Sequence, residues 1–82
     1  MTKKEETVLN AVRGIVERRE EANCFPACAL RRELDELLSG KIDRHELTHC
    51  LMQLVQSGHL SSRPTVNDQS YYLNNNDYEC NS

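Results

Sequence analysis

Two spellings in this 82-residue chain could hold a metal ion, and one residue could do thiol chemistry. Counted from Asp35, the run DELLSGKIDRHE puts Asp at position 1, Ser39 at 5, Gly40 at 6, Ile42 at 8, Asp43 at 9 and Glu46 at 12, an order close to that of an EF-hand calcium loop. Cys24-x3-Cys28 followed by His45-x3-His49 has the pairwise spacing of zinc ligands. Cys24, two residues before Pro26, is a candidate reactive thiol.

None of the three survives the demands of its chemistry. A calcium loop leaves the helix at position 1, but positions 3 and 4 here are Leu37 and Leu38, which continue an apolar helical stripe. No second loop exists to pair with it. Between the two zinc-like pairs lies a whole leucine-striped helix, and the histidines fall on the outer side of another. Free cysteine is commonly a small core residue, which is the reading for Cys28 and Cys50. No neighbouring motif marks Cys24 as activated. The chain has no phosphate-cradling glycine loop, nucleophile elbow or convincing carboxylate pair, and so small a domain leaves little room for a concave pocket. The expectation is a protein that is not an enzyme and needs no metal or cofactor.

Length allows one small core, and an apolar share of 38% with four aromatic residues makes it a Leu/Val core. No segment approaches the roughly 20 apolar residues that span a bilayer, and MTKKEETVLN lacks the apolar region of a secretory signal. The expected location is the cytoplasm, where the four cysteines stay reduced. The net charge is −3, of which −2 comes from residues 70–82, while residues 41–69 balance three bases against three acids. Indiscriminate nucleic-acid binding is therefore not expected.

Three helical segments and a hairpin must position anything functional. Residues 4–21 carry Val8, Leu9, Ala11, Val12, Ile15 and Val16 on one side, with Glu5 and Glu6 early and Arg18 and Arg19 late to suit the helix dipole. The stripe spans roughly 160°, wider than one partner helix needs. Either all of it is core, or Val8, Leu9, Val12 and Val16 serve a homodimer. Residues 23–26 break the pattern, and Pro26 can occupy the first turn of a second helix bearing Leu30, Leu34, Leu37 and Leu38 and stopped by Gly40. Asp43 as N-cap, Glu46 as its capping-box partner and Ile42 with Leu47 as a staple open a third helix, whose buried face is Leu47, Cys50, Leu51, Leu54 and Val55 and which ends at Ser57-Gly58. HLSSR, the turn-rich PTVNDQ and SYYLN then read as a hairpin. Residues 75–82 have no periodicity and read as a disordered polar tail, leaving 1–74 as the domain.

This order, with LRRELDELL in the second helix, HELTHCLMQLVQSGHL through the third and SYYL closing the hairpin, resembles the winged helix-turn-helix superfamily over nearly the whole chain. The resemblance implies a mainly α fold with a small β hairpin, in the order helix, strand, helix, helix, strand, strand. Residues 24–26 would form the first strand, and 61–63 and 70–73 the wing. It also implies a third helix that enters the major groove and a wing on the backbone or minor groove of double-stranded DNA. The exposed residues of that helix would be Arg44, His45, Thr48, His49, Met52 and Gln53. Arg44 suits guanine, Gln53 adenine, and Thr48 a phosphate or a thymine methyl. Lys41 and Arg63 are the backbone candidates, with Arg31 and Arg32 in support. The expected role is a transcriptional or mobile-element regulator. The near-neutral third helix and wing favour a rival, an interaction module that binds a protein instead.

Overall fold

Backbone satisfaction at its ends fixes the first element. The computed structural model describes residues 2–24 and 27–74. Helix α1, Lys3–Glu21, starts from a closed capping box: the Thr2 hydroxyl accepts from the Glu5 N–H at 3.1 Å, and the Glu5 carboxylate accepts from the Thr2 N–H at 3.4 Å. Asn23 takes a left-handed φ of 60° just after the helix, and the chain turns back.

Strand β1 is Ala29–Leu30, and α2 is Arg31–Leu37. Both correct the sequence expectation. The first strand was expected at 24–26, of which Phe25 and Pro26 lie outside the described residues; the segment that pairs is the apolar doublet Ala29–Leu30. The second helix starts at Arg31 rather than around Pro26, because Ala29 and Leu30 are held extended against Tyr71 and Ser70. Cys28 thus precedes the strand, partly buried, instead of opening a helix. Glu33 fixes the new start by accepting from the Leu30 N–H at 3.0 Å. The helix ends at Leu37, two residues before Ser39, and the turn to the next helix passes through Gly40 at φ +83°, a conformation that glycine adopts without a side-chain clash.

Helix α3, Arg44–Gln56, leads through Gly58 at φ +89° into β2, Leu60–Pro64, and β3, Gln69–Leu73. The three strands form one antiparallel sheet in the order β1-β3-β2, with Ser62 opposite Tyr71 and Arg63 opposite Ser70. The order α1-β1-α2-α3-β2-β3 is the layout expected from the sequence. Ile42 and Leu47 are both buried, as a staple requires, but the capping box at α3 does not form: Asp43 makes no side-chain cap, and Glu46 pairs with Lys4 of α1 instead. A long-range ion pair has taken the local partner. The tail read as disordered, 75–82, lies outside the described residues.

One core unites the elements. Val8, Val12, Leu34, Leu47, Leu51, Leu54 and Leu60 are at most 1% exposed, with Val16, Leu38 and Cys50 close behind. Of the stripe offered for a homodimer, Val8, Val12 and Val16 are buried in the chain's own core, and Leu9 keeps part of its surface. Among the described residues no helix is long and apolar enough to cross a membrane.

Candidate functional site

Burial of Leu47, Cys50, Leu51 and Leu54 turns the opposite side of α3 outward. On that side Arg44, His45, Thr48, His49 and Met52 are exposed, and Gln53 is half-buried. At 100° per residue Met52 falls near the middle of this face, with Arg44 and Thr48 on one flank and His49 and Gln53 on the other. Met52 is 52% exposed, so an apolar side chain occupies the place where a groove-reading helix needs donors or acceptors.

The flank towards α2 is organised by Arg31. Its guanidinium pairs with Asp35 at 3.2 Å, donates to the Thr48 hydroxyl at 2.9 Å and donates to the Arg44 carbonyl at 3.2 Å. Thr48 in turn donates to the Arg44 carbonyl at 2.9 Å. Arg31 is therefore a cross-brace between the two helices, and its charge is answered within the chain. The Thr48 hydroxyl has spent its proton, while its methyl group remains available. Beneath this brace, burial pushes the Tyr71 hydroxyl above its ordinary pKa against the opposing pull of Arg31. Arg31 was expected only as a backbone contact; the signal for its other role was its i,i+4 spacing from Asp35.

Arg32 is likewise engaged, though loosely. Its guanidinium lies 4.0 Å from Asp68, whose carboxylate also accepts from the Arg32 N–H at 3.3 Å and from the Gln69 N–H at 2.8 Å. Asp68 thereby ties the wing to the start of α2. Arg63 on β2 sits 5.8 Å from the centre of the Tyr72 ring, within the range of a cation–π contact that orients the guanidinium without neutralising it. At the wing tip Val66 is 96% exposed. Lys41, Arg44 and Arg63 are the cations of the predicted set that make no ion pair among the described residues.

His45 and His49 look towards the start of α1, where with Thr2, Lys4, Glu5, Glu46 and Cys50 they line an open groove of about 390 Å³. A second groove, about 620 Å³ and also open, follows the turn from α2 to α3 and is lined by Asp35, Glu36, Lys41, Asp43 and Arg44 among others. This is the stretch with the calcium-like spelling, and Asp35 within it belongs to α2 and is paired with Arg31. Among the described residues no three His, Cys, Asp or Glu side chains converge to hold a metal ion. Cys24 is exposed and Cys50 buried, with burial raising the Cys50 thiol above its ordinary pKa.

A contact with no local signature in the sequence is the Arg19–Glu33 pair, whose partners are 14 residues apart. Arg19 donates to both carboxylate oxygens of Glu33, one at 2.7 Å, and to the Cys28 carbonyl. That hydrogen bond chiefly holds the Glu33 carboxyl below its usual range, helped by the Leu30 N–H and opposed by burial, and it raises Arg19. The pair locks α1 to α2 behind the candidate face. No protein-family model, curated protein or solved structure matches the chain.

Proposed function

We propose that this chain is a small winged-helix protein that binds duplex DNA in the cytoplasm, with α3 in the major groove and the β2–β3 hairpin as its wing, and that it regulates transcription or a mobile element. The observation that carries this reading is the exposed outer face of α3 flanked by three cations that make no ion pair among the described residues: Lys41 on the preceding turn, Arg44 in the first turn and Arg63 on the wing. The helix order and the hairpin add support through their resemblance to winged-helix proteins. In this reading Arg44 and Gln53 read base edges, the Thr48 methyl meets a thymine, His45 and His49 line the groove, and Lys41 and Arg63 hold phosphates. Arg31 and Arg32 act indirectly, by bracing α3 and the wing.

Two phosphate contacts, from Lys41 and Arg63, predict a shallow salt dependence, a log–log slope of about −1.8 at −0.9 per neutralised phosphate. Anisotropy titrations of mixed-sequence duplex at several salt concentrations test it. Arg63→Ala should weaken binding and flatten the slope by about one phosphate's worth, whereas Arg44→Ala should weaken binding and relax its sequence preference. No detectable binding at low salt refutes DNA as the partner.

The exposed Met52 at the centre of the face favours a second reading, in which α3 docks on a protein. One base and one acid in α3 itself suit such a contact as well as they suit a phosphate backbone. Met52→Lys separates the two, since it strengthens binding to DNA and abolishes docking on an apolar protein surface.

A further inference from the structure

We propose that the flank of α1 facing α2 is a self-association surface whose partner is a second copy of this chain. Three observations meet there. Ile15, Arg18, Glu33, Glu36 and Leu37 line an open groove of about 320 Å³ between α1 and α2, and Leu37 stands 48% exposed beside it. Gly14 lies one helical turn before Arg18 on the same flank, and a Cβ added there would meet nothing within 4 Å. A glycine inside a helix costs roughly 0.5–1 kcal/mol relative to alanine, and no neighbour among the described residues explains its presence. Close approach of another backbone does.

Charge selects the occupant. Arg18 and Glu36 lie on the same rim with no ion pair among the described residues, whereas Glu33 is taken by Arg19. A two-fold pairing places Arg18 of each copy against Glu36 of the other, and seats each Leu37 beside the bare strip at Gly14 and Ile15 of its partner. An interface of this kind is self-complementary, as a two-fold contact must be. With one exposed leucine and one charge pair contributed by each copy, the pair is weak and exchanges readily. It uses none of α3, and two copies would bring two sets of Lys41, Arg44 and Arg63 to a ligand.

Sedimentation equilibrium of the full chain without DNA tests this surface independently of what α3 binds. The expected result is a mass rising from monomer towards dimer through the micromolar range. Leu37→Asp should weaken association at least about tenfold. Gly14→Gln should do the same while leaving the monomer as stable or more so, because glutamine is the better helix former and its side chain points into open space. Arg18→Glu or Glu36→Arg alone should weaken the pair, and the two together should restore it. A monomer at every concentration overturns the proposal. So does a dimer that persists in Gly14→Gln, or a double charge reversal that fails to recover what either single change loses.

Discussion

Removing the charge of Glu33 should cost a measurable and pH-dependent part of the stability. Glu33→Gln keeps an amide oxygen for the Leu30 N–H and loses the ionic part of the contact with Arg19, so it isolates the ion pair from the cap. Exposed ion pairs contribute up to about 1 kcal/mol, and hydrogen bonds to charged groups about 1.5–3 kcal/mol when sheltered. The two side chains are 29% and 33% exposed and share two hydrogen bonds, which puts their coupling between those limits, at about 1–1.5 kcal/mol. For a domain of this size that lowers the melting temperature by roughly 5–10 °C. A double-mutant cycle with Arg19→Met measures the coupling directly. Because the Glu33 carboxyl is held below its unfolded value, the contribution is complete above the unfolded carboxylate range and disappears as pH falls through the lowered value. Wild type and Glu33→Gln should therefore differ at neutral pH and converge in acid. A coupling within about 0.3 kcal/mol of zero, or a stability gap that ignores pH, refutes the claim that this pair locks α1 to α2.

Two further outcomes follow from the core. Leu54→Ala leaves a void at a fully buried position shared by α3 and the sheet, and urea titration should register a loss of about 3 kcal/mol, a large share of what so small a domain possesses. A loss below about 1 kcal/mol would mean that Leu54 is not central. Cys24 should react with a thiol reagent in the native state, whereas Cys50 should react only through unfolding. Since burial raises the Cys50 thiol, its neutral form favours the fold below the unfolded thiol range, and that advantage fades as pH rises above it. Cys50→Ser should leave the labelling of Cys24 unchanged; native labelling of Cys50 at the rate of Cys24 would contradict its burial.

Features set by local chemistry were legible in the sequence. The apolar phases of α1 and α3, the staple of Ile42 and Leu47, and the glycine turns at Gly40 and Gly58 all read out as folded. The T-x-x-E spelling at Thr2 and Glu5, which closes the capping box of α1, is equally local. Features set by distant partners were not legible. Two residues of β1 exist as a strand only because β3 lies beside them, and no two-residue pattern announces that. Glu46 has the spelling of a cap and the structure of a tether, because Lys4 arrives from 42 residues away. Arg31 looks like any helix-surface cation until α3 brings Thr48 and the Arg44 carbonyl to it. The candidate site was thus readable as a set of exposed residues on one helix face, while the division between cations engaged within the chain and cations left for a ligand required three dimensions.

The claim that α3 and the wing form the DNA-binding surface is tested most directly by following backbone amide shifts as duplex DNA is titrated into the labelled protein. The account predicts shifts concentrated at Lys41, Arg44, His45, Thr48, His49 and Gln53 and along the wing from Arg63 to Asp68, with α1 between Val8 and Val16 undisturbed. Shifts absent throughout, or centred on Ile15, Arg18 and Leu37 instead, would contradict it.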